Sequence, residues 1–130
     1  MTGRVVHFEV PFSDGERARN FYRQAFGWRL NEMPEMKYTG VATGPVSEET
    51  GMPSEPGYIG GGMFEREPAF PQGPVITIDV GSIDEALEKI QSLGGEPVGE
   101  KTQVGDMGFA AYFKDTEGNV LGLWETASPS

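Results

Sequence analysis

One structural pattern is written twice in this chain, and that duplication limits the folds open to it. In the first copy Val6, Phe8 and Val10 alternate with His7 and Glu9, the period of two that marks a strand with one face buried. A helix follows. Ser13 stands as its N-cap with Glu16 three residues on, a capping box, and Gly27 closes it in the left-handed conformation. Between them Ala18, Phe21, Tyr22, Ala25 and Phe26 recur at helical spacing and predict one apolar stripe laid against a sheet. In the second copy residues 75–80 alternate, Ser82 and Glu85 repeat the capping box, and Gly94 and Gly95 end a helix carrying Ile83, Ala86, Leu87, Ile90 and Leu93. At an offset of 68, Phe8 meets Ile76, Val10 meets Ile78, Ala18 meets Ala86, Tyr22 meets Ile90 and Gly27 meets Gly95. The repeat is one of pattern, since few letters are identical.

After each helix come short strand-like runs broken by Gly, Pro and Asp, at 28–33, 38–43 and 58–65 and again at 97–104, 108–114 and 119–126. Each half therefore reads β-α-β-β-β. Nineteen Gly and ten Pro without a short period fit a fold of many short elements, and 130 residues fit one domain, 1–130, of two repeats. The modules are expected at 4–65 and 75–126, joined by a linker at 66–74. The stretch 44–57 reads as a long loop, either a lid or plain surface, and the tail 127–130 as frayed.

Twenty acidic against ten basic side chains give a formal charge of −10, which repels a phosphate backbone, so nucleic acid is not an expected partner. No apolar run approaches the ~18 residues of a membrane span, and Met1-Thr2-Gly3-Arg4 lacks a hydrophobic signal core, so no membrane contact and a cytoplasmic location are expected. Without Cys there is no disulfide, thiolate ligand or cysteine nucleophile, and a single His rules out a multi-histidine metal site within one chain.

His7-Phe8-Glu9-Val10, Asn20-Phe21-Tyr22, Phe26-Gly27-Trp28 and Asp115-Thr116-Glu117-Gly118-Asn119-Val120 together resemble the vicinal oxygen chelate superfamily, which includes glyoxalase I, bleomycin-resistance proteins and extradiol dioxygenases. The resemblance implies an α+β fold, with two βαβββ modules forming a cupped, partly open mixed sheet, helices on the outside, around a small-ligand site, commonly in a homodimer. It also implies metal-ligand positions on the first and last strands of each module. These fall on His7, on Val75, near Gly62 or Met63, and on Gly122, so three of the four carry no donor. Glu65 and Glu125 could supply oxygens only in a different strand register, Glu125 facing away from the cup by alternation. No cofactor is expected. A divalent metal would have to rest on His7, and glyoxalase or dioxygenase chemistry needs such a metal as Lewis acid or oxygen binder.

Glu9 shares a strand face with His7 and would favour protonation of the imidazole, leaving it a general base, an anchoring donor or a satisfied pocket histidine. Thr77 and Asp79 alternate out of phase with Ile76, Ile78 and Val80 and are expected on the same wet face. Tyr112 and Trp124 would line the second half of the cup, where they could stack a planar or cationic ligand, or else belong to the core. The run Gly60-Gly61-Gly62 has neither phosphate-loop nor dinucleotide spacing. Inside a strand it implies a bulge, a ligand or a partner backbone in close approach. The resulting expectation is a protein that binds a small organic molecule, preferably a cation, in the cup without a metal, through His7, Glu9, Thr77, Asp79, Tyr112 and Trp124. The alternative is a metal-dependent lyase, isomerase or dioxygenase of glyoxalase type, using His7 and displaced carboxylates.

Overall fold

Strand β1 (Val5–Phe12) leads into helix α1 (Gly15–Phe26), strand β2 (Arg29–Met33), a 3-10 turn (Pro34–Met36), and strands β3 (Tyr38–Ala42) and β4 (Gly61–Glu65). Strand β5 (Val75–Asp79), helix α2 (Ile83–Ser92) and strands β6 (Glu96–Val104), β7 (Gly108–Lys114) and β8 (Val120–Thr126) complete the chain. This computed structural model describes residues 3–68 and 73–127. Part of the expected linker at 66–74 and most of the tail at 127–130 lie outside the described residues. Among the described residues each half of the pattern supplies four strands of mixed direction and one α-helix, the α+β class that the duplicated pattern predicts.

Contacts divide the chain into two units, one spanning His7–Pro74 and the other joining the residues before His7 to those from Val75 onward. In the first, the strand order is β2-β3-β4-β1, with β1 parallel to β4 and the other pairs antiparallel. The second has the order β5-β8-β7-β6, again with one parallel pair, β5 with β8. Each unit is thus a β-α-β-β-β run with its first and last strands side by side.

Helix α2 forms as its sequence predicts. The Ser82 side chain accepts from the Glu85 N–H, Gly94 follows the helix with φ 102°, and Ile83 and Ala86 bury against Val80, Ala111, Phe113 and Leu123. Helix α1 departs from expectation at both its start and its packed face. Asp14, not Ser13, is the N-cap and accepts from the Arg17 N–H, because Asp14 caps as well and stands one residue nearer the helix. Ser13 instead accepts from Arg66 Nη1. Gly27 does close α1 in the left-handed conformation, φ 71°.

The apolar stripe of α1 is not buried in the sheet. Phe21 and Phe26 remain 59% and 65% exposed, and no described residue of α1 is buried. Its rings pack on one another and on Trp28. Tyr22 stacks on Trp28 at 4.8 Å and 6°, Phe26 lies 5.8 Å from Trp28, and Phe8 of β1 meets the same indole at 5.7 Å. Burial on the α1 side of this half-sheet comes instead from Thr39, Val41 and Met63.

The 44–57 stretch is an ordered loop held by its own bonds. Val46 and Pro53 form a bridge, the Ser47 N–H donates to Met52 O, and Tyr58 Oη donates to Pro45 O at 2.6 Å.

Candidate functional site

Alternation along β1 places His7 and Glu9 on one face, opposite Phe8 and Val10, which lie on the α1 side. Glu9 is 8% exposed and pairs with Gly62 of β4, so Gly62 shares that face, while fully buried Met63 points toward α1. Of the two positions Gly62 and Met63, only the glycine adjoins the His7 face.

The residue that joins His7 to Glu9 is Tyr38. Pro34 opens the 3-10 turn after β2, Lys37 ends it at φ 52°, and the reversal sets Tyr38 at the head of β3, opposite Met33. From there its hydroxyl reaches over Gly62 and donates to Glu9 Oε2 at 2.9 Å, and its oxygen lies 2.8 Å from His7 Nε2. With the phenol proton on Glu9, the oxygen accepts from an Nε2–H, which assigns that tautomer to a neutral His7. Burial lowers the His7 pKa below its usual 6.5, against a smaller upward pull from Glu9. The carboxylate acts in the direction its sequence position suggests, but desolvation outweighs it.

A cleft of about 290 Å³ opens beside Tyr38, lined by Phe12, Arg19, Glu32, Met33, Pro34, Lys37, Thr39 and Glu65. Arg19 Nε and Glu32 Oε1 pair across it at 2.8 Å. A wider hollow of about 590 Å³ runs along Ser13, Glu65, Arg66, Glu67 and Pro68, and includes none of His7, Glu9 and Tyr38.

Thr77, Asp79, Tyr112 and Trp124 belong to the other unit, where register places them on the face of its half-sheet away from α2. Thr77 and Tyr112 both pair with Gly122, and Asp79 pairs with Trp124. Burial along β5 departs from expectation at one step: Thr77 is buried and Ile76 is exposed, while Ile78 and Val80 pack with α2 as the alternation predicts. The cause is Gly122, which leaves room for the threonine; a Cβ there would stand 2.8 Å from Thr77 Oγ1. Trp124 is half-buried, and its Nε1–H donates to Thr126 Oγ1 at 3.2 Å. Val75 is buried and offers no donor. Glu125 faces the helix, its Oε1 accepting from the Ile83 N–H at the start of α2.

A divalent ion in a catalytic site draws about three donors from protein. Among the described residues, no three His, Asp or Glu side chains gather closely enough to hold one. His7 Nε2 and Glu9 Oε2 are both engaged by Tyr38, so the donor set does not fit a metal centre.

A family model described as bleomycin resistance protein-like N-terminal matches residues 4–44. A glyoxylase-like domain-containing protein of Didymella fabae is 27% identical over 125 residues, spanning 91% of this chain and 90% of its own length. CFP32 of Mycobacterium bovis, a glyoxylase by name, is 26% identical over 90% of this chain, which spans only 43% of that protein. Among solved structures, methylmalonyl-CoA epimerase from Mycobacterium tuberculosis superposes with a TM-score of 0.65 at 17% identity, covering 98% of this chain and 89% of the other. The Streptomyces coelicolor epimerase bound to 2-nitronate-propionyl-CoA gives 0.64 at 16%, covering 98% and 100%. These similarities agree with the resemblance to the vicinal oxygen chelate superfamily, and the solved structures share its fold.

The motifs that carry the resemblance divide by role. His7 and Glu9 of the first are in the candidate site. Asp115–Asn119 is a turn: the Asp115 carboxylate accepts from the Glu117 and Asn119 N–H groups at 2.8 and 2.9 Å, and these bonds hold its pKa below the usual carboxylate value. Sequence reasoning missed Tyr38. The available signal was the glycine run at 60–62, which announced a close approach; what approaches is Tyr38 at Gly62 and Phe8 at Gly61, with no bulge in the β1–β4 pairing.

Proposed function

We propose that this protein binds a small organic cation against its His7–Tyr38–Glu9 centre without a metal ion. The observation that supports this reading is the Tyr38 hydroxyl, shared between His7 Nε2 and Glu9 Oε2. It binds the strand's polar side chains to each other and leaves a largely buried carboxylate as the anionic element of the site. A formal charge of −10 favours cations over anionic acyl-CoA ligands such as the one bound by the Streptomyces coelicolor epimerase. Met33, which pairs with Tyr38 and shares its face, supplies an apolar surface for the body of such a ligand.

The test is a thermal-shift screen against cationic antibiotics and adducts of small 2-oxoaldehydes, alongside metal analysis of protein purified without chelators. The expected result is a raised unfolding midpoint with a cation, worth about 2.7 kcal/mol at a hundredfold excess over Kd, and lost in Glu9→Gln. Near-stoichiometric metal that disappears in His7→Ala would establish the glyoxalase-type enzyme instead. A flat screen would reject the binding role. A homodimer is part of the same proposal, and a monomeric mass in sedimentation would remove it.

A further inference from the structure

Gly62 decides what can occupy the centre on which the proposed function rests. It pairs with Glu9 on one side and Gly40 on the other, between the strands that carry Glu9 and Tyr38. Its backbone does not lie in the left-handed region, so space rather than conformation calls for a glycine here. A Cβ built on it would coincide with the Tyr38 phenol. The ring therefore fills the volume of a side chain that position 62 lacks. At the matching place in the other unit, a Cβ on Gly122 would instead crowd Thr77 of the adjoining parallel strand.

We propose that Tyr38 is a built-in occupant of the centre: its ring takes the place vacated at position 62, its hydroxyl satisfies His7 and Glu9 internally, and it thereby determines that the site excludes divalent cations. An ion drawing on both His7 Nε2 and Glu9 Oε2 would have to displace the phenol oxygen that already touches both. Removing the ring and restoring a donor at 62 would turn the same strand face into a three-donor site, with His7, Glu9 and the new side chain on adjacent parallel strands.

Two measurements test this. In the first, Gly62→Ala lowers the unfolding midpoint by roughly 10 °C or more while Tyr38 is present, and by much less when Tyr38→Ala has emptied the space. If Gly62→Ala alone fails to fold, recovery of soluble protein in the Tyr38→Ala/Gly62→Ala pair reads the same coupling. In the second, Co²⁺ is titrated with its visible absorption as readout. Wild type shows no His7-dependent uptake, whereas Tyr38→Ala/Gly62→His takes up about one equivalent, lost on adding His7→Ala. Equal costs of Gly62→Ala with and without Tyr38, or a folded exchange variant that ignores Co²⁺, would overturn this inference alone. His7-dependent uptake by wild type would overturn it together with the metal-free function, and a failed ligand screen bears only on the latter.

Discussion

Replacing Tyr38 with Phe isolates the hydroxyl from the ring. The ring stays over Gly62, so no cavity forms, and the change removes one oxygen with bonds of 2.8 Å to His7 and 2.9 Å to Glu9. A neutral hydrogen bond contributes about 1 kcal/mol net, and one to a carboxylate about twice that. The expected loss is about 2–3 kcal/mol, or roughly 10 °C in the unfolding midpoint for a domain of this size. Tyr38→Ala, which also empties the ring volume, should cost roughly 2 kcal/mol more. Urea unfolding at pH 7.5 measures both, read as a midpoint shift at constant slope. In a His7→Ala background the cost of Tyr38→Phe should fall by about 1 kcal/mol, the coupling of the two groups. A Tyr38→Phe variant within about 0.5 kcal/mol of wild type, or full additivity with His7→Ala, would refute the bridge.

His7 is the sole histidine, so its imidazole C–H resonances report it without ambiguity, and they should titrate below 6.5. Because the unfolded chain then takes up the proton first, the His7 contribution to stability is complete above pH 6.5 and is lost as pH falls through 6.5 toward the folded value. Melting profiles against pH should show this slope in wild type and not in His7→Gln; titration above 6.5 would contradict it. At the head of α1, Asp14→Ala should cost about 1 kcal/mol and Ser13→Ala less than about 0.5, and the opposite order in urea unfolding would return the cap to Ser13.

Much of the architecture was legible because local signals and packing agree. The alternation at 75–80, the Ser82 cap and the stripe from Ile83 to Ile90 predict one strand and one helix, and both form where expected. In the first half local and tertiary choices diverge. Asp14 and Ser13 cap equally well by type, and only the chain path near Arg66 separates them. The α1 stripe has the right period, but its rings settle on Trp28, outside any periodicity count. Along β5, Thr77 is buried because a glycine three strands later in the sequence leaves a gap beside it, which strand alternation alone does not encode. The site was half legible for a similar reason. His7 and Glu9 stand two residues apart on one strand and so share a face, while Tyr38 reaches them through a 3-10 turn and a strand pairing that no spacing rule specifies.

The exchange between Gly62 and Tyr38 bears on how relatives of this chain are compared. Where one backbone position surrenders its side chain and a neighbouring strand supplies the atoms, a column-by-column comparison records a deletion of function at a point the folded molecule keeps furnished. Inventories of reactive groups in such proteins are better taken over volumes than over alignment columns.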